Sequence, residues 1–134
     1  MKQLILLTLF VFAAPFGWGE EGVYYCVEEN SLIITVLSVS RVSEESDYTQ
    51  RKYTVALTSN ELQVKYRSGS YSADHAFDLI HDYAYTHTGV ITNYEAQGMT
   101  GVFTLSTLPS QFGFQLLEIG SDITWLRNGS CTKF

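Results

Sequence analysis

From residue 23 onward, apolar and polar side chains alternate with a period of two, and short clusters of turn residues interrupt the alternation. This is the pattern of β-strands that bury one face. Residues 23–28 open the series, Glu29-Asn30 predicts a turn, and residues 31–42 form a long β-branched run suited to a central strand. Residues 43–50 carry Glu44, Glu45 and Asp47 without apolar periodicity and predict a solvated loop. The clearest local unit follows. Tyr53, Val55 and Leu57 alternate with polar or small residues, Ser59-Asn60 turns, and Leu62, Val64 and Tyr66 alternate again, which predicts a β-hairpin with one apolar face.

Further strands are expected at residues 90–95, 101–108, 112–119 and 123–127, separated by Gln97-Gly98, Pro109-Ser110 and Gly120-Ser121-Asp122. Phe103 and Leu105, then Phe112, Phe114 and Leu116, then Ile123 and Trp125 define one inward face. The segment 72–87 reads two ways. As a strand it sets His75, Phe77, Leu79, His81, Tyr83, Tyr85 and His87 opposite Asp74, Asp78 and Asp82. As a helix it stacks Phe77, Ile80, His81 and Ala84 behind Ser72 as N-cap. The long aromatic alternation favours the strand.

The first residues follow a different rule. One positive charge at Lys2, an apolar run from Leu4 to Ala14, and small residues at positions 17 and 19 form a signal-peptide pattern, with cleavage expected after Gly19. The run falls short of the roughly 20 apolar residues that span a bilayer, so no membrane span is expected after cleavage. Residues 20–134 are then a single β-rich domain of 115 residues, enough for one core. Its two cysteines, Cys26 and Cys131, stand near its ends. In an exported chain such a pair implies a disulfide between the first and last strands, and a secreted or periplasmic location.

The formal net charge is −6 for the whole chain, and losing Lys2 takes it to −7, which opposes binding to phosphate backbones and makes nucleic acid a poor partner. Candidate chemistry is sparse. Asp74, His75, Asp78, His81, Asp82 and His87 are the cluster of potential metal ligands, yet on a strand the histidines step apart by about 20 Å per six residues, so neither a metal nor another cofactor is expected. No nucleophile elbow accompanies the serines, and a disulfide removes both thiols from nucleophilic use, so no catalytic residue is assigned. Asn128-Gly129-Ser130 fits a glycosylation acceptor and equally a turn before Cys131.

Val23-Tyr24-Tyr25-Cys26-Val27-Glu28 at the start of the domain and Gly129-Ser130-Cys131-Thr132-Lys133-Phe134 at its end carry a resemblance. They resemble small secreted proteins of unknown function from Gram-negative bacteria, with an aromatic-Tyr-Cys strand at the mature start and a Cys-x-Lys-Phe ending. The resemblance implies a bacterial envelope or extracellular location and no catalytic residue.

The sequence therefore predicts an all-β, mostly antiparallel meander of about seven or eight strands, barrel-like or sandwich, with first and last strands joined by the disulfide. The expected function is non-catalytic binding, acting through the surface on a protein partner, with Glu44, Glu45 and Asp47 as the candidate surface for a basic one. Two readings compete with it. A carrier of small apolar molecules would line a cavity with Phe103, Phe112, Phe114 and Trp125, and an envelope hydrolase would need a polar cleft that no motif marks.

Overall fold

The computed structural model describes residues 21–41 and 50–134, and all regular structure among them is strand. In chain order the strands are β1 (Gly22–Thr35), β2 (Val39–Arg41), β3 (Lys52–Leu57), β4 (Glu61–Ser68), β5 (Tyr71–Tyr83), β6 (Thr86–Tyr94), β7 (Met99–Leu108), β8 (Gln111–Ile119) and β9 (Ile123–Lys133). Each pairs antiparallel with its neighbour from β3 through β9, and β1 pairs with both β3 and β9. Eight strands thereby close a barrel, and β2 is a short extension beside the far half of β1. Closure leaves β1 without the open edge it would have in a sandwich.

The seam is covalent. Cys26 and Cys131 are direct partners in the β1–β9 register and form a disulfide, with their Cα atoms 4.0 Å apart. An oxidised pair suits an oxidising, extracellular compartment. Among the described residues no helix is long and apolar enough to cross a membrane.

The core follows from the alternation. Tyr53, Val55 and Leu57 of β3 and Leu62, Val64 and Tyr66 of β4 are all buried, as the hairpin pattern requires. Phe77, Phe103 and Phe114 fill the middle of the barrel. Phe103 and Phe114 stack nearly parallel, 5.5 Å apart, and Tyr53 reaches Phe114 at 4.8 Å. Phe77 fits because its neighbours across the wall lack side chains. A Cβ on Gly89 would lie 2.7 Å from that of Phe77, and one on Gly101 would lie 3.0 Å from its ring.

Three local expectations change. Glu29-Asn30 is a bulge inside a continuous β1, because the chain keeps its pairing with β9 on both sides of the irregularity. The run 31–42 is not one strand. It breaks after Thr35, whose N–H bonds the Ser38 carbonyl at 2.9 Å and whose hydroxyl receives the Ser38 N–H at 3.2 Å. The segment 72–87 is neither a helix nor one strand. β5 ends at Tyr83, a two-residue turn Ala84-Tyr85 follows, and β6 begins at Thr86.

Candidate functional site

Two groups of side chains outside the apolar core carry chemical character: an ion network inside the barrel and an apolar tip at its rim.

The network occupies the end of the barrel where β3, β7 and β9 begin. Arg127 on β9 donates from Nε to Glu118 Oε1 on β8 at 2.6 Å, and from Nη1 to Glu28 Oε1 at 3.4 Å and Ser31 Oγ at 3.3 Å on β1. The Tyr53 hydroxyl donates to Glu28 Oε2 at 3.1 Å. Arg51 lies 3.5 Å from Glu118 and 3.7 Å from Glu95, and the Tyr66 hydroxyl donates to Glu95. Both guanidinium groups lie over rings, each 4.5 Å from a centroid: Arg51 over Tyr66 and Arg127 over Trp125. Planar, weakly hydrated guanidinium groups suit such buried, ring-faced positions.

Burial governs the protonation of this end. It pushes the Glu28 carboxyl above the usual carboxylate range, although Arg127, Tyr53 and Arg51 pull the other way. Burial raises Glu95 as well, opposed by Arg51. The Tyr94 phenol is pushed up for the same reason, and His75, its ring tilted against Tyr94 at 4.6 Å, is pushed down by burial. For Arg51, burial works against the charge, but Tyr53, Glu118, Tyr94 and Glu95 outweigh it and hold the guanidinium fully protonated. The network orders the end of the barrel.

The second group surrounds the β5–β6 turn. Ile80 and Tyr83 near the end of β5 and Tyr85 in the turn are exposed, Tyr83 at 74 % and Ile80 at 64 %, and Leu108 at the end of β7 is exposed too. The turn is held from below. The Thr107 N–H bonds the Tyr85 carbonyl at 2.8 Å, and His87 faces Asp82 through Nδ1 and Thr107 Oγ1, 3.2 Å away, through Nε2. Ala84 takes φ 49°, a left-handed conformation that a residue with a Cβ adopts at a cost.

The residues singled out in the sequence are placed as follows. Cys26 and Cys131 form the disulfide. Glu44, Glu45 and Asp47 lie outside the described residues. Phe103 and Phe114 are stacked on each other, Phe112 packs on Tyr24 at 5.9 Å, and Trp125 is faced by Arg127. The histidines and aspartates of 72–87 do not keep opposite faces. A bulge between Leu79 and His81 inverts the alternation, so Asp82 and His87 share a register position while His81 pairs with Thr88. Among the described residues, no three His, Cys, Asp or Glu side chains are grouped to hold a metal ion.

The ion network was missed by the sequence reading, although its signal was present. The inward series Phe112, Phe114, Leu116 continues in phase to Glu118, Trp125 continues to Arg127, and Tyr24 and Cys26 continue to Glu28. The apolar face was read only as far as the apolar residues. Compared with family models, characterised proteins and solved structures, the chain matches none.

Proposed function

We propose that the chain is an exported, non-catalytic binding protein that engages a protein partner through the β5–β6 tip. The observation that carries this reading is the tip itself: Ile80 and Tyr83 on the last part of β5, Tyr85 in the turn and Leu108 at the end of β7 are all exposed, and His87 anchors the turn. Tyrosine combines a broad apolar face with a polar end at low entropic cost, which suits recognition of a protein surface. Surface recognition also fits an interior whose rings stack on one another, and the leader-like residues 1–19 with the disulfide support export.

A photo-crosslinking phenylalanine analogue at position 83, and at Gln63 on β4 as a control, tests this in envelope extracts of cells that make the protein. One dominant protein adduct is expected from position 83, none from position 63, and its loss when Tyr85→Ser is added. Absence of an adduct, combined with saturable quenching of Trp125 by a brominated fatty acid, would replace this reading with the carrier.

A further inference from the structure

We infer that the outer face of β3 and β4 is a binding site for a compact tetrahedral oxyanion, a phosphoryl or sulfuryl group. The site is separate from the β5–β6 tip and does not depend on it. In a chain of net charge −6, the exposed Lys and Arg side chains among those described are Lys52, Lys65 and Arg67, all on these two adjacent strands.

Their arrangement is unfavourable for the fold alone. Lys52 and Arg67 are direct partners in the β3–β4 register and point to the same side, and like charges opposed in this way destabilise a sheet. Lys65 stands two residues from Arg67 on the same strand. The three therefore form a triangle with sides of about 5 to 7 Å at the level of the Cβ atoms. None of them makes an ion pair with a described residue. Asp74, opposite Lys65 in the β4–β5 register, offsets one charge of the three.

The triangle is not on a flat wall. Tyr25, Lys52, Thr54, Lys65, Tyr66, Arg67, Ser72 and Asp74 line a depression of about 400 Å³. Phe134 stands edge-on to Tyr25, 6.3 Å away, at its border. The hydroxyls of Thr54, opposite Lys65, and Ser72, opposite Arg67, add donors along the lining. A tetrahedral oxyanion matches this set better than a single carboxylate, because it offers three acceptor oxygens to three separate donors. Binding would also relieve the Lys52–Arg67 repulsion, so the like-charge pair becomes favourable only with the anion present.

The test is a titration of the disulfide-bonded protein with inorganic phosphate at constant ionic strength, balanced with sodium chloride. Thermal midpoint and backbone amide shifts are followed. The midpoint should rise saturably with phosphate and with sulfate but not with acetate, and the Thr54 and Ser72 amides should shift. Lys52→Gln and Arg67→Gln should each weaken the response about tenfold, and without phosphate Lys52→Gln should melt no lower than the unsubstituted protein. Phosphoserine and sulfotyrosine then identify which ester is preferred, and tighter binding of either supports the site. An equal response in the variants, a response that follows ionic strength alone, or amide shifts confined to other strands would overturn it.

Discussion

Arg127 and Glu118 meet diagonally across the β8–β9 pair inside the barrel, Nε to Oε1 at 2.6 Å, and both side chains are almost wholly buried. Around this contact, two guanidinium groups meet the three carboxylates of Glu28, Glu95 and Glu118. A buried charge is tolerated only when paired and hydrogen-bonded, and here the acids outnumber the bases. Burial raises the pKa values of Glu28 and Glu95, and at Glu95 the neighbouring Glu118 adds to it.

The burial of Glu28 fixes a pH dependence. A carboxyl whose folded pKa lies above its unfolded value of about 4.5 contributes stability that is present at lower pH and lost as pH rises through the folded pKa. Glu28→Gln carries no such ionisation. Its stability should therefore improve relative to the unsubstituted protein as pH rises above that unfolded value, measured by denaturant midpoints across pH 4 to 8. A difference that stays constant with pH would show that Glu28 titrates as it does in the unfolded chain.

Ala84 should respond in the opposite way from an ordinary alanine-to-glycine change. Its φ of 49° is one that glycine adopts freely. Replacing it by glycine should raise stability by up to about 1 kcal/mol, since the relief of left-handed strain exceeds the added freedom of the unfolded chain. The thermal midpoint is the readout, and a fall would mean that the Ala84 methyl itself is supported at the turn.

How far the sequence carried can be judged from particular residues. The β3–β4 hairpin was legible because Tyr53, Val55 and Leu57, then Leu62, Val64 and Tyr66, keep an unbroken alternation on both sides of a turn. The seam was legible because Cys26 and Cys131 leave one intramolecular pairing. The β1 bulge and the β5 bulge were not, because an extra residue inverts the phase and only the partner strand reveals it. The burial of Arg127 was hidden for a different reason. A charged side chain at an inward position is read as outward until its counter-ions, 9 and 99 residues away, are brought to it.

Loss of the disulfide should be costly. In the chain-entropy description, a loop spanning 105 positions contributes on the order of 4 to 5 kcal/mol. The double change Cys26→Ala with Cys131→Ala should lower the thermal midpoint by many degrees. Thiol titration of the natively made, denatured protein should find no free sulfhydryl.

Gly129 should tolerate no side chain. A Cβ there would overlap the Val27 carbonyl oxygen and stand 2.8 Å from the Phe114 ring. Gly129→Ala should therefore cost about 1–3 kcal/mol through a forced shift of the β1–β9 seam, measured by equilibrium unfolding. Gly98→Ala, with nothing within 4 Å but φ +69°, separates backbone strain from collision.

Chelation should leave stability unchanged. His75 stacks among Tyr66 and Tyr94, His81 points outward, and His87 is engaged by Asp82 and Thr107. The measurement is the thermal midpoint with and without a strong chelator, together with the metal content of protein purified without added metal. Stoichiometric zinc lost in His81→Ala would contradict this placement.

The pairing of β1 with β9 also sets an order in time. Hairpins from β3 to β9 join neighbours in sequence and form as the chain lengthens, whereas the seam joins residues about a hundred positions apart. A chain emerging N-terminus first holds β1 against β2 and β3 alone, its other edge unpaired, until β9 has been made. The ion network waits on the same event, because Arg127 arrives with β9. Until then Glu28 and Glu118 remain in water, and the barrel cannot seal around a partly finished interior.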